Sequence, residues 1–241
     1  MIARKYITGA ILFLPLAIKC QHITQHTNML WAGYYNTTRF NEKWSLASDA
    51  QIRTKDWTNK WSQILVRSGA GYTINNRVSV TVGMAFFKNA QYVGKELLMK
   101  NEWRPWQEVA YQLPLHKINF IQRLRTEERF MQLVKNNELS RDYQYIFRSR
   151  YKFEFQFPLK ASKLMLLAGN EIMVNPHYIQ SSLFFDQNRT SVGINFKMNS
   201  KSALQCQYVK IFQWRSTTSV MDDQNVFRVN FIHQINCSKK V

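Results

Sequence analysis

Hydrophobic and polar residues alternate with a period of two through most of this chain, in runs of about 10–14 residues. An extended chain points successive side chains to opposite faces, so this period predicts strands. The clearest case is 147–157. One face carries Phe147, Ser149, Tyr151, Phe153, Phe155 and Phe157, and the other carries Arg148, Arg150, Lys152, Glu154 and Gln156. In 44–54, Ser45, Ala47, Asp49, Gln51 and Arg53 alternate with Trp44, Leu46, Ser48, Ala50 and Ile52. In 77–87, Val78, Val80, Val82, Met84 and Phe86 oppose Arg77, Ser79, Thr81, Gly83 and Ala85. Near the end, Phe227, Val229, Phe231 and Ile235 oppose Arg228, Asn230 and Gln234. Eleven such runs cover 30–40, 44–54, 61–74, 77–87, 104–113, 118–130, 143–157, 163–174, 189–198, 202–215 and 225–236. No segment sustains a helical period, and the runs leave no room for a second domain.

A soluble sandwich alternates too, with its apolar face inside. Two features predict the opposite orientation, apolar outward into lipid. The polar faces carry long charged groups of both signs, as a barrel lumen does. The connections also alternate between short ones (41–43, 75–76, 114–117, 158–162, 199–201) and longer ones (55–60, 88–103, 131–142, 175–188, 216–224). Outer-membrane barrels sort their connections this way, with short turns on one rim and loops on the other. Trp31, Trp44, Trp57, Trp61, Trp103, Trp106 and Trp214 fall near turns or loops and are expected to form interfacial girdles. Single-chain bacterial barrels usually have an even strand count. Residues 21–29 are therefore expected to supply a further strand, giving an all-β antiparallel transmembrane barrel of about 12 strands, with ten as the alternative.

Composition bears on what such a barrel carries. The 241 residues include 33 Lys and Arg against 15 Asp and Glu, a net charge of +18, with 14% aromatic residues. A basic excess of this size suggests nucleic acid or anionic lipid as partner. Residues 1–20 decide between them. Arg4 and Lys5 precede an apolar run from Ile7 to Ile18, too short to span a bilayer as a helix and shaped like a secretory signal peptide. Cleavage is expected after Cys20, leaving 21–241 as a single barrel domain. Cys20 resembles a lipobox cysteine, but Lys19 stands where a small residue is expected. Removal takes away Arg4, Lys5 and Lys19 and no acid, leaving +15. An exported protein does not meet cytoplasmic DNA, so no nucleic-acid partner is expected.

Cys20, Cys206 and Cys237 cannot all pair and show no metal-ligand spacing, and His22, His26, His116, His177 and His233 are scattered. Neither a metal nor another cofactor is expected. Gly-x-Ser-x-Gly and phosphate-binding loops are absent, so the chain does not read as an enzyme.

Three stretches share a recurring pattern: 101–107 (Asn-Glu-Trp-Arg-Pro-Trp-Gln), 122–130 (Gln-Arg-Leu-Arg-Thr-Glu-Glu-Arg-Phe) and 147–151 (Phe-Arg-Ser-Arg-Tyr). With the opening 40–46 (Phe-Asn-Glu-Lys-Trp-Ser-Leu), they resemble a family of uncharacterised Gram-negative outer-membrane proteins. That family is known only as a domain of unknown function within the outer-membrane β-barrel superfamily. The resemblance runs from about Trp31 to Ile235 and is most specific at Glu-x-Arg-Pro and Arg-x-Arg-x-Glu-x-Arg-Phe. It implies a barrel and a cell outer-membrane location, with outer-membrane lipids, lipopolysaccharide and the barrel-assembly machinery as partners. It implies no activity. The tail, Asn236 to Val241, departs from the terminal aromatic residue of such barrels.

The polar faces carry the candidate chemistry. Arg104, Arg123, Arg125, Glu127, Arg129, Arg148, Arg150 and Glu154 are expected on one interior surface, with Glu102, Glu108 and Glu171 able to join them. Two readings follow. The set is either a structural salt-bridge network filling a narrow lumen, or a basic lining that binds or passes small anionic solutes. Lys88, Lys95, Lys100, Lys135 and Arg141 are candidates for lipopolysaccharide phosphates. The competing classes are a soluble exported barrel that binds a ligand inside, and an outer-membrane lipid-modifying enzyme.

Overall fold

The period-two alternation is realised as eleven strands closed into a barrel, in a computed structural model that describes residues 23–159, 163–179, 181, 183–215 and 220–237. The signal segment, its cleavage site and Cys20 lie outside the described residues. The strands are β1 (Ile23–Arg39), β2 (Trp44–Lys55), β3 (Lys60–Thr73), β4 (Val78–Val93), β5 (Glu96–Leu115), β6 (Ile118–Lys135), β7 (Glu138–Pro158), β8 (Leu164–Val174), β9 (Phe185–Lys197), β10 (Ser202–Arg215) and β11 (Val220–Asn236). Each strand pairs antiparallel with its neighbours in sequence. The barrel closes through β1 and β11, which run parallel in register from Ile23 opposite Val220 to Arg39 opposite Asn236.

The twelfth strand expected from 21–29 is not a separate element. Residues 23–29 prolong β1, and parity is met by a parallel seam in place of an additional crossing. Parallel pairing is slightly weaker per residue, and here it extends over the full length of both strands.

Side chains sort as the membrane reading requires. Val66, Val82, Leu124, Tyr145, Val192 and Phe227 are among many large apolar residues exposed on the outer wall, while Gln51, Glu102, Arg125, Glu127, Arg148 and Gln207 are buried inside. The outer wall also carries a polar belt. Gln107 and Thr126 are hydrogen-bonded at 2.8 Å, Asn170 donates to Asn188 and Thr190, and Asn225 joins Asn28 to Lys210. Between this belt and the short turns, the outer faces are largely apolar over about eight residues of strand, or about 20 Å of barrel height at the usual tilt.

The two rims differ for reasons of sequence. Three short turns repeat one design. Asn41, Asn75 and Asn199 each accept, through the side-chain oxygen, the backbone N–H groups two and three residues on. Such Asx turns replace the backbone partners lost where the chain reverses. Each of the five connections on this rim carries a base: Lys43, Arg77, Lys117, Lys163 and Lys201.

The opposite rim corrects the loop expectation. Of the stretches expected as long connections, 88–103 and 131–142 are mostly strand, reversing in two residues at Gly94-Lys95 and Asn136-Asn137. Asn136 and Asn137 both have positive φ (50° and 62°), the signature of a tight hairpin turn. The alternation fades there because apolar and polar residues no longer keep to separate faces (Leu97-Leu98-Met99 and Leu133-Val134 are consecutive apolar residues), while backbone pairing continues. A longer described connection follows β8 and contains a 3₁₀ turn at Pro176–Tyr178.

The tryptophans also divide. Trp44, Trp57, Trp61 and Trp103 are exposed on the outer surface, but Trp31 and Trp106 point inward and are buried. Their parity, odd in β1 and even in β5, places them on the polar face, and this outweighs their nearness to strand ends.

Candidate functional site

Three long neighbours, β5, β6 and β7, bring the charged positions of their inner faces into register. Glu108 is opposite Arg125 and Arg125 opposite Arg150, while Glu127 faces Arg148. The side chains close a cycle. Arg150 bonds Glu127 (2.6 Å) and Glu171 (2.9 Å), Glu171 reaches Arg123 (3.3 Å), Arg123 reaches Glu108 (3.3 Å), Glu108 holds Arg125 (2.6 Å), and Arg125 returns to Glu127 at 4.0 Å. Three arginines and three glutamates therefore neutralise one another in a ring.

Branches extend it. Arg148 holds Glu127 through Nε at 3.1 Å and Asp186 through Nη1 at 2.9 Å. Asp186 reaches inward because it is the extra residue at a register shift, where Val174 pairs with Phe185 and Met173 with Gln187. Bulges re-aim side chains in this way. Arg104 and Arg129 share Glu102, at 2.6 and 2.7 Å. Glu154 stands apart, held by Lys152 (2.8 Å) and Gln156 (2.9 Å). The structure thus links Arg104, Arg123, Arg125, Glu127, Arg129, Arg148 and Arg150 in one network, adds Glu102, Glu108, Glu171 and Asp186, and leaves Glu154 outside it. Charges withdrawn from water survive when paired and hydrogen-bonded, so this wall is held largely by ion pairs.

Trp106 packs against this wall. Arg125 lies over its ring at 4.3 Å, and on the other side it rests on the paired residues Gly69 and Gly83, where any Cβ would fall 2.6 Å from Cζ2. Two glycines in register leave the space that an inward indole needs.

The opposite wall is built differently. One inward row crosses the seam: Arg53 on β2, Trp31 on β1, Arg228 on β11 and Gln207 on β10 are register partners in succession. Arg53 donates to Gln63 (2.7 Å) and Gln51 (2.8 Å), and its guanidinium lies 4.0 Å over the Trp31 ring. Arg189 approaches the same ring at 5.2 Å and donates to Gln187 at 2.7 Å. Arg228 donates to Gln207. Neither Arg53 nor Arg228 has an ion pair with a described acid, and Arg189 has Glu171 only at 3.7 Å. Arg53 Nε, Trp31 Nε1, Arg228 Nε and Gln207 Nε2 are buried and donate to no described group. Sequence placed Arg53 and Arg228 on polar faces without connecting them, because a parallel seam between the first and last strands leaves no local signal. Arg189 was missed, although its alternation with Asn188 and Thr190 puts it on the inner side.

Between the two walls lies a cavity of about 1060 Å³ that runs along β1 from Met29 to Thr37 and along β11 from Asp222 to Ile232. Twelve of its lining side chains are Lys or Arg and three are acidic (Glu154, Glu171, Asp222). Five of those bases (Arg104, Arg123, Arg129, Arg148, Arg150) and Glu171 belong to the ladder; the rest of the lining sets seven bases (Arg53, Lys55, Arg67, Lys100, Lys152, Arg189, Arg228) against Glu154 and Asp222 and is net positive. Among the described residues, histidines do not converge. His116 lies in the β5–β6 turn, His177 in the 3₁₀ turn on the other rim, and His233 on the outer wall beside Tyr34. No group of three potential metal ligands occurs among the described residues.

Fold and site together define a closed eleven-strand β-barrel with an apolar exterior and an ion-paired, polar interior. The chain matches, over residues 28–222, the family described as "Protein of unknown function (DUF2490)", and it belongs to that family. No curated protein matches it. Among solved structures, the NanC porin aligns at a TM-score of 0.46 with 11% identity, over 78% of this chain and 88% of that one.

Proposed function

We propose that this protein is an outer-membrane barrel of pore-like role, whose lumen passes or binds small polar solutes and favours anions. The observation that carries the reading is the excess of bases in the cavity lining outside the ion-paired ladder, seven against two acids. A lining of one sign raises the local concentration of the opposite ion and sets selectivity. The exposed apolar wall supports a membrane location, since a soluble ligand-binding barrel would turn those residues inward. In this reading the wall contacts lipid and lipopolysaccharide, and the barrel-assembly machinery inserts the chain. The lumen in this reading serves passage or binding, with no catalytic step and no cofactor.

Solute flux in liposomes and reversal potentials in planar bilayers test the proposal. Purified protein is expected to give conductance with the anion more permeant than the cation. Absence of conductance overturns the pore, and a cation preference overturns the anion reading.

A further inference from the structure

Four buried donors on one inward row face the same side of the lumen with no carboxylate set against them, although the opposite wall supplies a glutamate wherever arginines gather. The contrast is within one barrel. Where arginine serves the wall, Glu102, Glu108, Glu127 and Glu171 answer it at 2.6 to 3.3 Å. Around Trp31, the guanidinium groups of Arg53 and Arg189 converge, Arg228 stands beside it on β11 with its guanidinium on Gln207, and the acid contact is Glu171 at 3.7 Å from Arg189. Like charges brought together in a poorly solvated site repel, and buried donors without acceptors cost free energy. An oxyanion placed among them relieves both penalties, because it accepts from guanidinium forks and from the indole and amide N–H groups.

A second row lies directly below. Gln51, Gly33, Asn230 and Gln205 are partners in succession across the same four strands. Asn230 donates to Gln205 at 2.9 Å. Gly33 keeps the row open, since a Cβ there would sit 2.9 Å from Asn230 Oδ1. Carboxamides both donate and accept, which suits hydroxyl groups and gives no purchase to a second charge.

We infer that Arg53, Trp31, Arg228 and Gln207, with Arg189, form a binding station for the oxyanion group of a small hydroxylated organic anion, its uncharged hydroxyls lying along the amide row. The oxyanion is a carboxylate or a phosphate, chemistry that this donor set holds in common. The station rests on the anion reading of the lumen and names its substrate class. It lies on the wall opposite the Arg/Glu ladder, whose charges are spent on one another.

Binding is measured by calorimetry on the purified protein in detergent micelles, with gluconate, glycerol 3-phosphate, acetate and sorbitol as probes. Gluconate or glycerol 3-phosphate is expected to saturate one site, the tighter of the two naming the headgroup. Acetate is expected to bind at least tenfold more weakly than gluconate, and sorbitol not at all. The double variant Arg53→Gln, Arg228→Gln is expected to weaken binding at least tenfold while keeping heat-modifiable gel mobility. If the double variant fails to fold, Gln207→Leu and Trp31→Phe, each removing one donor, are expected to weaken it at least threefold. Unchanged affinity in the folded variants, or sorbitol binding as tightly as gluconate, overturns the station. Because micelles carry no flux, the two readings separate. A protein that binds gluconate without conducting keeps the station and loses the pore, and one that conducts anions while binding neither hydroxylated probe loses the station alone.

Discussion

Gly69 lies directly beneath the indole of Trp106, so close that a Cβ on the glycine would come within 2.6 Å of Cζ2 and 2.7 Å of Cη2. Gly83, its register partner, makes the same approach, but a Cβ there would also meet the Ser68 carbonyl oxygen at 2.3 Å. The two positions therefore answer differently to the same change. Gly69→Ala is expected to lower the unfolding midpoint in urea by the equivalent of about 1–3 kcal/mol, the usual cost of overpacking. Adding Trp106→Leu should recover much of that loss for Gly69→Ala and little of it for Gly83→Ala, whose obstacle is backbone. Equal recovery at both sites would contradict the packing described.

Glu127 is the most heavily committed acid of the ladder, with Arg148, Arg150, Arg104 and Arg125 all within 4.0 Å. Glu127→Gln leaves several buried guanidinium groups short of a counter-charge. The expected cost is about 3–5 kcal/mol, as for one partner removed from a buried pair. Glu154→Gln, outside the ring, is expected to cost markedly less. Equilibrium unfolding of the two variants in parallel checks the ranking.

The hairpin joining β6 to β7 turns on two residues of positive φ. Asn137→Gly should stabilise by up to about 1 kcal/mol, whereas Asn137→Val, β-branched and unfavourable in the left-handed region, should destabilise by about 1 kcal/mol or more. Refolding yield and urea midpoint report both. A loop of the length expected over 131–142 would be indifferent to either change.

Cys206 lies on the outer wall between the exposed Leu204 and Tyr208, and Cys237 is exposed just beyond the end of β11. A membrane-impermeant charged maleimide is expected to label Cys237 readily in detergent and in liposomes open to both faces. Cys206, isolated in a Cys237→Ser variant, should be modified in the urea-unfolded chain and protected once the barrel is in lipid. Equal labelling of Cys206 in both states would count against a lipid-facing outer wall.

Much of this architecture was legible because two faces with different solvents impose a period on the chain. The eleven runs became eleven strands, and their parity places Arg104, Arg123, Arg125, Glu127, Arg129, Arg148, Arg150 and Glu154 on the inner face. What failed to show was whatever depends on distant partners. Strand extensions beyond Lys88 and Phe130 lose their alternation because apolar residues such as Leu97-Leu98-Met99 and Leu133-Val134 fall on both faces. Trp31 and Trp106 were read by nearness to strand ends, when their room depends on residues such as Gly69 and Gly83 on other strands. The oxyanion station was invisible because Trp31 and Arg228 meet only across the seam.

A barrel's first and last strands are its final join, and here the join is the parallel one among the described pairs. Trp31 and Arg53 stand on one side of it, Arg228 and Gln207 on the other. An anion gripped by both sides works as a clasp, tying the cargo to the closure of the wall that contains it. By mass action, rising anion concentration should then raise the temperature at which the barrel opens.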